Sequence, residues 1–122
     1  MPKPLKRDST LQPISRQHHK VLQCCFKVRQ GLKKAIAPQR VLDYIYYFWE
    51  DYYTEHTRQQ IDVLRPALTH RQLAAFTEKE DLLIGMYQRL QPMAENLVEF
   101  EKTLYDHVRW EERILFESIQ EK

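Results

Sequence analysis

The sequence predicts an all-α protein, an up-down-up-down antiparallel four-helix bundle. Apolar residues recur at helical spacing through most of the 122 residues, and prolines separate the periodic stretches. Only 2 residues are glycine and 30% are charged, with both signs mixed, which is typical of helices with solvated outer faces. Short connections marked by proline imply that neighbouring helices run antiparallel. We expect a polar N-terminal arm over residues 1–10 and one domain over residues 11–122.

Prolines mark the ends of the first two predicted helices. The first helix begins near Pro13, which suits a first helical turn, and continues to about residue 36, before Pro38. The second runs from about Pro38 to Leu64. Its core stripe is Leu42, Ile45, Trp49, Tyr52, Tyr53, His56, Gln60 and Val63. The aromatic residues between positions 44 and 53 exceed what one stripe can bury, so some of them should lie at the surface. Two copies of the chain could form a homodimer through this aromatic surface.

The third predicted helix runs from His70, with Thr69 as N-cap, to about Leu90. Its apolar face is Leu73, Phe76, Leu83, Ile84, Tyr87 and Leu90, with Glu80 near the centre and Asp81 toward solvent. The fourth helix runs from about Met93 to Glu121. Its stripe is Phe100, Leu104, His107, Glu111, Ile114 and Ser118, flanked by Leu97 and Leu115.

Composition and charge exclude several classes of protein. The net charge of +2 is small, and the basic residues form no stripe beyond the Lys3–Arg7 cluster, so no nucleic-acid partner is expected. No apolar run approaches the ~20 residues of a membrane span, and the start lacks the apolar core of a signal peptide. We therefore expect a cytoplasmic protein with no membrane association. The adjacent Cys24 and Cys25 suit packing rather than a disulfide framework.

Six polar residues fall on the predicted inward faces, and every helix contributes. They are His18, His56, Gln60, Glu80, His107 and Glu111. A buried carboxylate needs a cationic side chain, a hydrogen-bond network or a metal ion to compensate for its lost hydration. Imidazoles and carboxylates together suit divalent iron, manganese or zinc, and bundle cores hold metals in this way.

Other polar residues have weaker claims to a site. His19 could replace His18 as a ligand if the first helix were rotated, and His70 is expected to be a surface or capping residue. Glu112, at the edge of the stripe, is expected to pair with a surface base. Tyr52 or Tyr53 could donate a hydrogen bond to His56, since ligating imidazoles are held by such partners.

Three stretches resemble the hemerythrin-like domains, also called the HHE cation-binding family. They are Leu11-Gln-Pro-Ile-Ser-Arg-Gln-His18-His19, Tyr53-Thr-Glu-His56 and His107-Val-Arg-Trp-Glu111-Glu-Arg-Ile-Leu-Phe116. The resemblance implies a four-helix bundle with a carboxylate-bridged non-haem di-iron centre that binds oxygen, or senses or stores iron, oxygen or nitric oxide. It also implies that His18, His56, His107 and Glu111 are metal ligands.

Two positions depart from the family pattern. Gln60 stands where the family's bridging Glu should be, and Ile61 replaces a second common acid. On the third helix, Glu80 fits the slot of a family His; a gapless comparison would choose Asp81, but the helical face favours Glu80. Because a glutamine carbonyl cannot bridge two ions as a carboxylate does, we expect an altered site.

The altered site leaves three possibilities. It holds one ion through His56, His107 and Glu111, with or without His18 or Glu80 as a further ligand; it holds a weaker, unusual pair of ions; or it is metal-free, with Glu111 and Glu80 ion-paired to the imidazoles. If the site holds metal, we expect a non-enzymatic protein that binds iron and senses, carries or stores dioxygen, nitric oxide or iron. If it is metal-free, we expect a helical interaction module that retains the fold. An oxidase or peroxidase is disfavoured, because no inward acid–base set beyond the ligands is visible.

Overall fold

The structure, a computed structural model, describes residues 9–120, and within them the chain is all-helical with no strand. Helix α1 spans Gln12–Lys33, and α3 spans His70–Gln88. Helix α2 (residues 38–64) consists of Pro38–Phe48, a π-helical turn at Trp49–Tyr53, and Thr54–Leu64. Helix α4 (residues 94–120) consists of Ala94–Trp110, a π-helical turn at Glu111–Leu115, and Phe116–Gln120. The predicted all-α class and the four helices are confirmed, whereas the predicted N-terminal arm lies outside the described residues except for Ser9 and Thr10.

The helix ends follow local sequence signals. Thr69 forms the expected N-cap of α3: its Oγ1 accepts a hydrogen bond from the Gln72 N–H at 3.1 Å, while Gln72 Oε1 accepts one from the Thr69 N–H at 2.9 Å. Helix α1 ends before the predicted residue 36, because the Ile36 N–H turns back to the Gly31 carbonyl at 3.0 Å. Ala35 makes this reversal with a left-handed φ of 58°.

Each of the two π turns adds one residue to its helix. The Thr54 N–H donates to the Trp49 carbonyl in α2, and the Phe116 N–H donates to the Glu111 carbonyl in α4, so each bond joins residues five apart. The extra residue rotates everything after it by about 100° relative to an unbroken α-helix. Both turns lie beside predicted site residues.

Two residues predicted to face the core, Ile114 and Ile84, are exposed, and Val63 is among those that are only half-buried. Ile114 is 59% exposed, and Leu115 is buried in its place. Val63 is half-buried, and Leu64 takes the core position. Ile114 lies within the π turn at Glu111–Leu115, whose extra residue brings Leu115 to the core position that an unbroken helical period assigns to Ile114. Ile84 is 37% exposed, since α3 presents only a narrow stripe to the core.

Contacts between packed helices join residues near the beginning of one helix to residues near the end of the other, or the middles of the two helices. Between α1 and α4, Ser15 contacts Glu112 and Arg29 contacts Glu101. Between α1 and α2, Gln17 contacts Gln59 and Lys27 contacts Tyr44. Between α3 and α4, Gln72 contacts Ser118 and Glu80 contacts His107. Helices α2 and α3 meet where the Trp49 ring stacks on the Tyr87 ring, with centroids 4.2 Å apart.

Buried apolar side chains form two groups. The smaller group is Leu11, Ile14, Leu64, Phe76, Leu115 and Phe116. The larger group includes Val21, Cys24, Cys25, Ile45, Trp49, Tyr53, Leu83, Leu97, Phe100 and Leu104. Both cysteines are buried free thiols, as predicted. The polar residues His18, His56, Gln60, Glu80 and Glu111 fall between the two groups along their helices, so a polar layer crosses the core.

The surface of α2 bears out part of the aromatic prediction. Phe48, Trp49 and Tyr53 are buried, whereas Tyr47 is 67% exposed and Tyr46 also reaches solvent. Among residues 9–120, none of the helices has the length and apolar character needed to cross a membrane.

Candidate metal centre

All six residues predicted to line a site are buried in the polar layer: His18, His56, Gln60, Glu80, His107 and Glu111. The choice of Glu80 over Asp81 as the inward residue is confirmed, since Asp81 is exposed. His19 and His70 are both exposed, so His19 does not replace His18, and His70 lies at the surface as expected.

One cluster joins α3 to α4 through Glu80, His107 and Glu111. His107 Nε2 lies 2.7 Å from Glu80 Oε1 and 3.3 Å from Glu111 Oε1. One potential ligand atom from each of the three residues lies within 4.8 Å of the other two. Two carboxylates and one imidazole at this spacing form a donor set that suits divalent iron, manganese or zinc.

The second cluster surrounds His18 on α1. Its Nε2 donates to Gln60 Oε1 at 2.8 Å and lies 3.4 Å from Glu111 Oε1, while its Nδ1 donates to Glu112 Oε2 at 2.9 Å. Gln60 Nε2 in turn donates to Glu111 Oε2. Glu111 therefore lies between the two imidazoles and links the clusters.

His18 carries positive charge in this arrangement, and protonation of His107 is favoured. Burial alone would lower the pKa of His18, but the hydrogen bonds and charges of Glu111 and Glu112 outweigh it and raise the pKa to about 9. Burial likewise opposes protonation of His107, but Glu111 and Glu80 raise its pKa overall. Burial would also raise the pKa of Glu111, yet the two imidazoles lower it, so this carboxyl stays ionised.

His56 is held differently, as a neutral imidazole. Burial, and then the charge of His18, lower the pKa of His56 to about 4. Its Nδ1 lies 2.7 Å from Gln17 Oε1, which can only accept, so Nδ1 carries the proton and Nε2 keeps its lone pair. A neutral imidazole oriented through one nitrogen is in the form that ligates a metal through the other. The His18 and His56 ring centroids are 5.0 Å apart.

Two side-chain partnerships were not predicted. Glu112 accepts hydrogen bonds from His18 and from Ser15 Oγ, the latter at 2.9 Å. Position 112 lies about 100° from Glu111 around α4, on the side that faces α1. The hydrogen-bond partner of His56 is Gln17 rather than a tyrosine, although Tyr52 OH donates to the Gln17 carbonyl oxygen at 3.3 Å.

Glu112 and Gln17 are the residues that sequence reasoning missed. Gln17 is next to His18 in the chain, but its position one residue away placed it off the core face. The buried acid Glu101 was also missed. It lies outside the polar layer and is paired with Arg29 at 2.5 Å. The partners of Glu112, Gln17 and Glu101 lie on other helices, and the period of a single helix does not reveal them.

The polar layer fits a bound metal ion. Within residues 9–120, Glu80 Oε2 and His107 Nδ1 are buried and have no hydrogen-bond partner. A buried polar atom without a partner is costly, and native proteins rarely leave one. The unsatisfied carboxylate oxygen belongs to the same Glu80–His107–Glu111 cluster, where a cation would compensate it. A scan against models of protein families finds no match for the chain, and neither does a search of curated proteins or of solved structures.

Proposed function

We propose that the chain is a non-enzymatic protein that binds one divalent metal ion, with iron as the first candidate, between Glu80, His107 and Glu111. The observation that carries the proposal is that these donors lie within 4.8 Å of one another while Glu80 Oε2 is buried without a partner. Zinc and manganese suit the same donors. Iron held there would supply redox chemistry and affinity for dioxygen or nitric oxide.

The remaining polar residues support one ion rather than two. Gln60 offers a neutral carbonyl oxygen that is already bonded to His18, and it cannot bridge two ions as a carboxylate does. His18 is engaged by Glu112 and by Gln60. His56, with its Nδ1 occupied by Gln17, has the protonation state of an additional ligand.

The same proposal includes a hemerythrin-like bundle in which the four helices run up, down, up and down. The contacts of Ser15 with Glu112 and of Arg29 with Glu101 support opposite directions for α1 and α4. The polar layer shared by all four helices supports a metal-binding bundle interior. The cytoplasmic location, the homodimer through the α2 aromatics and the small ligand stay predictions.

A second candidate is a metal-free helical interaction module with the same fold. It is favoured by the ion pairs of His18 with Glu111 and Glu112, because they compensate buried charge without a cation. The two candidates differ in what a chelator does. Metal that binds only the folded state stabilises it by about 2.7 kcal/mol when the free ion is at about 100 times its Kd, whereas the metal-free module has the same melting temperature with or without metal.

The experiment is metal titration of the chelator-stripped protein with anaerobic iron(II), followed by elemental analysis and thermal unfolding. Glu80→Gln keeps the shape of the side chain but removes its charge. We expect this variant to lose affinity by at least about 100-fold, since even the loss of an outer partner of a metal ligand costs 10- to 100-fold.

Asp81→Asn is the matched control, because it removes a neighbouring carboxylate that is exposed. It should bind as tightly as the parent chain. Two tightly held equivalents per chain would refute the single ion, and an unchanged melting temperature at saturating iron, zinc and manganese would refute metal binding altogether.

A further inference from the structure

The outer surface of α1 is basic and carries no acid. Residues 9–42 contain seven Lys and Arg and no Asp or Glu, whereas residues 43–122 contain nine Lys and Arg and sixteen Asp and Glu. The sequence predicted no basic stripe beyond Lys3–Arg7. In the structure, His19, Gln23 and Lys27 on α1 and Lys34 at its C-cap are exposed on one side of the helix, with Gln30 half-buried among them.

Exposed apolar side chains interrupt this basic side. Phe26 is 58% exposed in its middle, and Ile36 and Tyr47 are exposed beside it. We define the α1 face as His19, Lys20, Gln23, Phe26, Lys27, Gln30 and Lys34, with Ile36 and Tyr47 at its edge. Three shallow depressions of about 250, 460 and 470 Å³ lie along it, and Lys27 lines all three.

The lysines of the α1 face have no carboxylate partner within the described chain. Lys20 lies over the Tyr52 ring at 5.2 Å, and Lys27 lies over the Tyr44 ring at 6.0 Å. By contrast, Arg29, on the side of α1 that packs on α4, is neutralised by Glu101. The positive charge of the α1 face is therefore available to a partner, next to apolar surface that a partner could cover.

We propose that the α1 face binds an acidic amphipathic helix of another protein. Such a helix would place apolar side chains on Phe26 and Ile36 and acidic side chains beside Lys27 and Lys34. From His19 to Lys34 the face is about 22 Å long at 1.5 Å per residue, which matches a partner helix of about 15 residues.

The charge distribution favours a short peptide over an extended polyanion. Residues 43–122 carry a net charge of −7, so a nucleic acid or an anionic bilayer that extends beyond α1 would meet repulsion. The phosphates of a nucleic acid also offer no apolar surface to the exposed Phe26 and Ile36. A helical segment interacts with the α1 face alone and satisfies both its charge and its apolar surface.

The test uses a fluorescent synthetic helix of about 15 residues, with leucines on one side and glutamates flanking them, in an anisotropy titration. Charge reversal by Lys27→Glu with Lys34→Glu should weaken binding at least about 10-fold, and Phe26→Ala about 5-fold. Because the three side chains are exposed, circular dichroism should show unchanged folding. The affinity of the parent should fall as salt rises.

The matched control is Arg65→Glu with Arg71→Glu, which changes the net charge equally at exposed sites away from α1. It should bind the peptide like the parent, and a peptide with Lys in place of Glu should not bind. Equal weakening by both double variants would overturn the proposal. Tighter binding of duplex DNA, RNA or phosphatidylserine vesicles than of the peptide would also overturn it. The same holds if the chain forms a dimer that the Lys27→Glu with Lys34→Glu variant does not form.

Discussion

Glu111 connects the two halves of the polar layer. One of its oxygens is 3.3 Å from His107 Nε2 and 3.4 Å from His18 Nε2, and the other accepts a hydrogen bond from Gln60. Its pKa is lowered because these imidazoles outweigh the effect of burial. The carboxylate therefore lies between two imidazoles whose protonation it favours, and it is in contact with both clusters of the polar layer.

Gln60→Glu tests how the single-ion site arises. In the metal-free protein, the new carboxylate would face Glu111 where the Gln60 amide now donates, so we expect a loss of about 2–4 kcal/mol in the free energy of unfolding. With metal present the same carboxylate could bridge, and we expect the bound iron to rise toward two equivalents. Urea unfolding in chelator and elemental analysis after iron loading measure the two effects.

Gln88→Glu serves as the control for this substitution, because residue 88 is exposed at the end of α3. It should change the free energy of unfolding by less than about 0.5 kcal/mol and leave the metal content as it was. A Gln60→Glu protein that is as stable as its parent in chelator would contradict the role assigned to the Gln60 amide.

At the residue scale, the sequence predicted which side chains enter the layer but not how they pair. Spacing along a helix identifies the face of His18 or Glu80, because burial has the period of the helix. The partners lie on other helices. Glu112 was assigned to the surface because it is at the edge of its own stripe, yet α1 brings Ser15 and His18 against that edge.

The helices themselves were predicted nearly residue by residue where proline or a cap determines an end. The interior of α4 was less predictable, because a π turn changes the period without a local signature in composition. The stripe of α4 was correct up to Glu111 and wrong at Ile114, where the extra residue of the turn brings Leu115 to the core instead. In α2, His56 and Gln60 follow the π turn and face the core as predicted, and at the end of the helix Leu64 takes the position predicted for Val63.

Ala35→Gly should stabilise the end of α1. Ala35 has a φ of 58°, its N–H bonds to Leu32 O at 3.2 Å, and the Ile36 N–H bonds to Gly31 O, so it occupies the C′ position of a Schellman motif. A left-handed conformation costs a residue with a Cβ roughly 1–2 kcal/mol. Part of this is offset by the greater freedom of glycine when unfolded, so we expect a gain of about 1 kcal/mol in urea unfolding.

The comparison variant is Ala37→Gly, where φ is −51° and no such relief exists. It should leave stability unchanged or lower it. If Ala35→Gly and Ala37→Gly lower stability equally, the strain assigned to Ala35 is not present in solution.

On the scale of the whole molecule, the polar layer divides the core into unequal parts. The smaller apolar group, with Leu11, Leu64 and Phe116, lies beyond the layer and forms a cluster separate from the larger group. Regions with fewer buried apolar contacts open at lower free energy than the main core. The metal-free protein should therefore open first at this end.

Hydrogen exchange measured by mass spectrometry tests this expectation. In chelator, amides of residues 12–18 and 111–120 should exchange faster than those of residues 21–28 and 97–104. Saturating iron or zinc should slow exchange markedly in residues 12–18 and 111–120 and little in residues 21–28 and 97–104, because the ion ties α3 to α4 inside the layer.

The Glu80→Gln variant supplies the reference for that measurement, since added metal should leave its exchange unchanged. Uniform exchange along α1 and α4 in chelator would contradict the division of the core. Slowing confined to residues 97–104 would place the ion elsewhere.

The π turns also make the number of residues in α2 and α4 a requirement of the fold. Loss of one residue from the turn at Glu111–Leu115 would allow a continuous α-helix, but Leu115 and Phe116 would then rotate away from Leu11 and Ile14. A one-residue deletion would thus be more damaging than most substitutions there.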